Sequence, residues 1–193
     1  MSYYYYFVAT LPALQFSQVP TMSYGEFTER AARYLSSGDT CALEQACLQV
    51  PADGKTPSAT TVVPLLAQYY RWERTLRNEL VRLRSQRLHK SADLYLKPGD
   101  VEWDALRIAQ AAFASDNPLE GELLIERDRW ALIDRLATNH FFDMDYLAAY
   151  ALKLQSLARR HRFEPATGEE GYKTVYRSVL DSADYRNQSG DTL

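Results

Sequence analysis

Three side chains in the C-terminal half have the types and spacing that can bind a metal ion: His140, Asp143 and Asp145. Imidazole nitrogens and carboxylate oxygens are common metal ligands. Helix formation explains the same acids more simply, with Asp143 as an N-cap and Asp145 as a first-turn carboxylate facing the helix dipole. We expect the helix interpretation and no metal. The two cysteines and three histidines of the chain are too scattered to indicate zinc.

A second candidate for chemistry is the segment from Gly168 to Thr174, which ends like a phosphate-binding loop. It lacks the four-residue spacing between a first glycine and Gly-Lys-Thr, and it has Glu169 and Glu170 where phosphate would sit. The sequence also contains no dinucleotide fingerprint and no Gly-x-Ser-x-Gly elbow. We therefore expect a protein without a cofactor and without enzymatic activity of its own.

Arginine is concentrated on one predicted helix, which carries Arg71, Arg74, Arg77, Arg82, Arg84 and Arg87. The same stretch has only two acids, Glu73 and Glu79, and Glu73 is predicted to pair with Arg77 one turn later. Arginine binds carboxylates and phosphates through two parallel hydrogen bonds, which favours an acidic partner. The alternative is a solvated face that pairs with the chain's own acids, for example Glu120, Glu122 and Glu126.

We predict Arg74, Arg77 and Arg84 as partner-binding residues, because their spacing turns them away from the apolar stripe of this helix. That stripe consists of Leu65, Tyr69, Trp72, Leu76, Leu80 and Leu83. Direct nucleic-acid binding is not expected, since the net charge is -3 and the basic residues are not interleaved with exposed aromatics. A free helical adaptor, or a nucleic-acid-binding protein that uses the arginine-rich helix 69–88, is kept as the alternative function.

The helix that should organise the fold begins after Asp143. Its apolar positions cover more than half of the circumference, which is typical of a helix inside a bundle: Met144, Leu147, Ala148, Ala149, Tyr150, Ala151, Leu152, Leu154, Leu157 and Ala158. The polar remainder is predicted to face solvent and consists of Asp145, Lys153, Ser156, Arg159 and Arg160.

Capping and proline signals predict where the other helices begin. A first helix is favoured between Tyr3 and Leu14, and Ser23 opens a Ser-x-x-Glu capping box. Later starts are predicted at Asp39 (through Leu48), at about Thr60 (to Leu88, with Pro64 in its first turn), at Asp100, at Asn117 with Pro118, and at Tyr172. Composition predicts loops at 51–58 and 89–99.

These elements predict an all-α, multi-helix bundle in which residues 1–193 form a single domain. The helices are expected to form either one core or two helical layers, 1–90 and 100–183. The tail at 184–193 is expected to be flexible. The composition, 46% hydrophobic and 24% charged, is that of a soluble globular protein. Cys41 and Cys47 are not expected to form a disulfide, and no signal peptide or membrane-spanning run is recognised. A cytoplasmic location is expected, with membrane contact only through partners.

In four segments the sequence resembles a bacterial family of unknown function whose members are typically encoded among the genes of V-type ATPases: YYYYFVATLPAL, WERTLRNELVRLRSQRL, NPLEGELLIERDRW and FFDMDYLAAYALKL. That family is in turn similar to the C subunit of V/A-type ATPases, which is called d in eukaryotes. The resemblance extends from Ser2 to about Leu180.

This resemblance implies an all-helical, funnel-like subunit that sits on the membrane rotor ring and accepts the central stalk during proton or sodium transport. Its partners would be other V/A-type ATPase subunits, and it would reach the inner membrane only through the complex. The C subunit is commonly built from three related helical units and is much longer, so 193 residues correspond to only part of such a funnel. An accessory or assembly role in the same complex is therefore a further expectation.

Overall fold

The structure, a computed structural model, describes residues 3–48, 63–163, 169 and 171–180. Seven helices have the bounds α1 Tyr4–Ala9, α2 Tyr24–Tyr34, α3 Ser37–Glu44, α4 Pro64–Arg87, α5 Trp103–Phe113, α6 Pro118–Leu136 and α7 Met144–His161. Residues 171–180 are also helical and are called α8. No strand occurs in these ranges, which confirms the all-α prediction. None of the described helices is both long enough and apolar enough to cross a membrane.

The chain divides into two compact units, Met1–Ala158 and Arg159–Leu193. The first contains α1 to α6 and most of α7, and the second contains the end of α7 and α8. The prediction of a single domain stays a prediction. The predicted loop at 51–58 and the predicted tail at 184–193 lie outside the described residues. The predicted helix start at about Thr60 also lies outside them.

Several helices begin where the sequence predicts them to begin. Ser23 and Glu26 form a reciprocal capping box, in which the Glu26 N–H donates to the Ser23 hydroxyl at 3.2 Å and the Ser23 N–H donates to the Glu26 carboxylate at 2.8 Å. The Asn117 side chain accepts the Leu119 N–H at 3.0 Å, and Pro118 is the first residue of α6. Pro64 likewise begins α4, where its missing N–H costs nothing.

Two predicted caps are wrong. Ser36, not Asp39, caps α3: its hydroxyl accepts the Asp39 N–H at 3.2 Å, and the helix ends at Glu44 rather than Leu48. Asp100 does not cap α5, whose N-cap is Glu102. The Glu102 side chain makes no cap hydrogen bond, and its N–H donates to the hydroxyl of Thr75 on α4 at 3.3 Å, so a tertiary contact fixes the start of α5.

The C-terminus of α4 closes with a Schellman motif. The His89 N–H donates to the Gln86 carbonyl at 3.2 Å, and the Lys90 N–H donates to the Ser85 carbonyl at 3.0 Å. His89 adopts a φ of 52°, the left-handed conformation that usually requires glycine. A histidine therefore holds a position that a side chain disfavours.

One hydrophobic core draws residues from all seven helices of the chain up to residue 158. The helix α7 is buried around most of its circumference, which confirms the prediction that it lies inside the bundle. One of its residues is placed wrongly by the sequence pattern: Ser156 was expected to face solvent, yet it is fully buried. Its hydroxyl donates to the Glu126 carboxylate at 2.7 Å, so the buried polar group is satisfied.

Candidate interaction surface

The structure gives the three predicted contact arginines of α4 different surroundings. Arg77 Nε donates to the Glu73 carboxylate at 2.9 Å, which confirms the predicted pair. Arg74 is half-buried against the turn at Gly99, where an added Cβ would lie 2.2 Å from a guanidinium nitrogen. Arg84 is exposed, and no carboxylate of the described residues lies within ion-pair distance of it. Whether these residues contact a partner stays a prediction.

Arg84 lies at a groove of about 210 Å³ between the second half of α4, the end of α5 and the start of α6. We call it the α4–α6 groove and define it by Leu80, Arg84, Arg87, Phe113, Glu122 and Ile125. Ile125 is buried, while Leu80 and Phe113 are half-buried and open towards the groove. Arg87, like Arg84, forms no ion pair with a described carboxylate, and its guanidinium lies 5.9 Å from the centroid of the Phe113 ring.

The close approach of α5 and α6 shapes this groove. Gly121 on α6 is buried, and a Cβ added there would lie 2.7 Å from the carbonyl oxygen of Ala112 on α5. Any side chain at this position would push the two helices apart. Glycine is therefore required for the present width of the groove.

A second groove of about 320 Å³ lies on another side of α4, against the segment 96–101. Arg82 and Lys97 are among its lining residues. The Asn78 side chain bridges to this segment, donating to the Lys97 carbonyl at 2.7 Å and accepting the Lys97 N–H at 3.0 Å. Arg82 is paired with Glu79 at 3.4 Å. Asn78 and Arg82 are thus both held by neighbouring groups.

The sequence reasoning missed a buried ionic cluster that joins α4, α6 and α7. Arg129 donates to both carboxylate oxygens of Glu73 at 2.9–3.1 Å and to Glu126 at 2.5 Å, and Ser156 completes the cluster. Glu73, Glu126 and Arg129 are 1%, 0% and 2% exposed. Arg77, at the outer side of Glu73, adds the second positive charge, so the charges balance.

Electrostatics inside this cluster keep Arg129 charged. Burial acts to lower its pKa, but attraction to Glu73, Tyr69 and Glu126 outweighs burial and raises the pKa above its ordinary value. Burial, followed by the charge of Glu73, also raises the pKa of the Tyr69 hydroxyl, which donates to the Leu48 carbonyl at 2.9 Å. The sequence contained one signal for this buried cluster, because Glu73 lies one helical turn from Tyr69, Tyr70 and Leu76 on the apolar side of α4.

His140, Asp143 and Asp145 come together in the structure at the start of α7. His140 Nδ1 lies 2.6 Å from one oxygen of Asp143 and 4.0 Å from one oxygen of Asp145. The hydrogen bond to Asp143, with smaller charge effects of both carboxylates, raises the pKa of His140. One potential ligand atom from each of the three residues lies within 4.8 Å of the others.

The other oxygens of these carboxylates have structural roles. Asp143 accepts the Tyr146 N–H at 2.9 Å, which confirms it as the N-cap of α7. Asp145 lies in the first turn of α7, as predicted, and it also accepts the N–H of Leu65 on α4 at 2.8 Å. Two helix N-termini therefore meet at these acids, and the partial positive charge of those N-termini is stabilised by the carboxylates. The arrangement fits a helix junction better than a metal site.

Exposed aromatic side chains from two distant segments meet on the surface of the first unit. The ring of Tyr5 lies 4.9 Å from that of Phe142 and 5.8 Å from that of Tyr6, which in turn lies 6.1 Å from Tyr3. All four side chains are at least half exposed. We call these residues the aromatic patch.

The helix α8 also exposes apolar residues, at helical spacing: Tyr172, Val175, Tyr176, Val179 and Leu180. Tyr172 and Tyr176 stack with ring centroids 5.9 Å apart. In the segment compared above with a phosphate-binding loop, Lys173 pairs with Glu169 at 2.6 Å, while residues 168 and 170 lie outside the described part. This pairing agrees with a helix entry rather than a phosphate site.

Comparison with known proteins gives no significant match to any protein family, curated protein or solved structure. The resemblance to the ATPase-linked family therefore stays an expectation from the four sequence segments.

Proposed function

We propose that the protein is a non-catalytic component of a bacterial V/A-type ATPase, related to its C subunit, and that it binds rotor or stalk proteins through its helix surfaces. The aromatic patch supports this proposal most directly. It joins the first and last of the four segments that carry the resemblance, through the contact between Tyr5 and Phe142.

The chemistry of the patch favours protein contact. Tyrosine and phenylalanine are enriched in the cores of protein interfaces, because they bury a large rigid surface at a small cost in side-chain entropy. Tyr5 and Phe142 are 60% and 50% exposed, so much of their apolar surface is left for a partner. An isolated exposed aromatic residue is common, whereas a contiguous group marks an interaction site.

Affinity purification of the tagged full-length chain from its source cells, in mild detergent, tests the proposal. The expected result is that central-stalk and rotor-ring subunits copurify with the chain. An intact ATPase purified by another subunit under the same conditions, and lacking this protein, would contradict the assignment. Salt-sensitive binding to DNA or RNA in its place would support the alternative function.

A pair of variants tests the patch separately from the ATPase assignment. The change Tyr5→Ser with Phe142→Ser should remove the copurifying subunits, because it deletes the exposed apolar surface without touching the core. Tyr95→Ser is the matched control, since Tyr95 is 67% exposed and lies outside the patch. Equal recovery of subunits with both variants would show that another surface makes the contact.

A further inference from the structure

The α4–α6 groove combines apolar side chains with two arginines that form no ion pair with a carboxylate in the described part of the chain. We call its apolar lining residues Leu80, Phe113 and Ile125 the floor, and Arg84 and Arg87 line the same space. Basic residues in the last turn of a helix also stabilise its dipole. That role does not require them to border an apolar cleft.

The charges of the groove define the partner's chemistry. Glu122 lines the groove as well, so the charges of Arg84, Arg87 and Glu122 sum to one positive charge. Arg87 is partly held over the ring of Phe113, which places its guanidinium beside the floor. A ligand that carries a carboxylate next to an apolar side chain would complement both features.

The groove is smaller than most small-molecule pockets, and its size suits the side chains of a larger partner. Small-molecule pockets usually measure roughly 300–1,000 Å³, whereas this groove measures about 210 Å³. A few side chains from one face of a helix or extended peptide would fill it. Nucleic acid fits poorly, because a phosphate backbone has no apolar group for the floor.

We propose that the α4–α6 groove binds an acidic amphipathic segment of another protein. An apolar side chain of that segment packs against Leu80, Phe113 and Ile125, and a carboxylate of the segment pairs with Arg84 and Arg87. Of the three arginines predicted as contacts, this assigns the role to Arg84, adds Arg87, and leaves Arg74 and Arg77 to the fold. The inference rests on the proposed role in protein binding but not on the identity of the ATPase.

Fluorescence anisotropy with the full-length chain tests this binding. The probe is a fluorescein-labelled helical peptide with leucine at positions i, i+3 and i+7 and glutamate between them, compared with a scrambled peptide of the same composition. We expect saturable binding of the first peptide only, weakened by salt. The double change Arg84→Glu with Arg87→Glu should weaken it about tenfold or more, as expected when repulsion replaces charge pairing.

The matched control is Arg30→Glu with Arg33→Glu on α2, which changes the net charge by the same amount at two exposed positions. It should leave the affinity within about twofold, which corresponds to less than ~0.5 kcal/mol. Equal weakening by both double variants would overturn the groove assignment and indicate attraction to net charge alone. Circular dichroism verifies that both variants keep their helices.

Methyl NMR locates the bound peptide independently of mutation. Shifts confined to Leu80 and Ile125 and their neighbours are expected, and shifts centred elsewhere would overturn the proposal. The proposal would also be overturned if anionic vesicles, but not unlabelled peptide, displaced the labelled peptide. Self-association of the chain that blocks peptide binding would overturn it as well. If the peptide binds but ATPase subunits do not copurify, only the ATPase assignment is rejected. If ATPase subunits copurify but the peptide does not bind, only the groove proposal is rejected.

Discussion

The two halves of α4 carry similar kinds of residues but lie in different environments. In the first half, from Pro64 to Leu76, eight residues are buried, including the acid Glu73. In the second half, 77–87, no residue is buried, although the leucines of the apolar stripe continue at Leu80 and Leu83. One helix therefore serves the core at its start and presents a surface at its end.

This difference shows that sequence pattern alone does not decide where a charge lies. Glu73 is buried because Arg129, fifty-six positions away in the chain, supplies three hydrogen bonds and a positive charge. Arg84 has no such partner among the described residues and stays in solvent. The position of the partner, and not the residue type, separates a structural charge from one available for binding.

The largest expected effect comes from Arg129→Met, compared with Arg84→Met. The first change leaves Glu73 and Glu126 buried without their main partner and should lower the free energy of unfolding by about 3–5 kcal/mol. The second should change it by no more than about 0.5 kcal/mol, because Arg84 is exposed. Urea denaturation followed by circular dichroism measures both.

A triple variant separates loss of pairing from loss of volume at this site. Replacing all three charges, by Glu73→Leu, Glu126→Met and Arg129→Met, should restore much of the stability lost in Arg129→Met alone, because no buried charge remains unpaired. If the triple variant were as unstable as the single one, packing rather than charge balance would be the main contribution of Arg129.

Two leucines on the same stripe test the comparison next. Leu76→Ala should lower the free energy of unfolding by about 2–5 kcal/mol, because Leu76 is buried and leaves a cavity. Leu83→Ala should cost roughly 1 kcal/mol or less, since Leu83 is only half-buried. Thermal or urea unfolding measures the pair, and equal losses would mean that the second half of α4 is packed as tightly as the first.

A smaller effect is expected at the end of α4. His89→Gly should raise the free energy of unfolding by about 0.5–1 kcal/mol, because glycine adopts the left-handed conformation of this position without a steric cost. The same denaturation experiment measures it. No gain would indicate that the Schellman motif is frayed in solution, which would sharpen the contrast between the two halves.

The smallest effect is a pH dependence at the helix junction where the first half of α4 begins. The pKa of His140 is raised in the fold by its hydrogen bond to Asp143, so its contribution to stability is complete below the ordinary histidine pKa of about 6.5. That contribution is lost as the pH rises through the raised pKa. Urea midpoints at mildly acidic and mildly alkaline pH should therefore differ in this direction, and His140→Gln should reduce the difference.

Much of the fold could be predicted because its signals are local. The capping box at Ser23, the pair Asn117 and Pro118, and the apolar circumference of α7 each depend on residues within a few turns. The wrong caps failed for a related reason. Ser36 competed with Asp39 one turn away, and the start of α5 depends on Thr75 of another helix.

The candidate surfaces were less predictable because they depend on long-range placement. The stripe of α4 identified arginines that face outwards, but it did not show that Arg74 lies against Gly99 or that Arg84 borders a groove. The ionic cluster needed the position of Arg129 on α6, and its only local signal was an acid on an apolar stripe. Nor could the sequence show that Tyr5 meets Phe142.

The hydrogen bond from the Leu65 amide to Asp145 links residues eighty positions apart at the very start of α4. An amide in the first turn of a helix has no intrahelical acceptor and normally exchanges its hydrogen with water rapidly. Here the exchange of one amide on α4 is expected to slow only once α7 has docked. Its protection during refolding would therefore report the moment at which α4 and α7 come together.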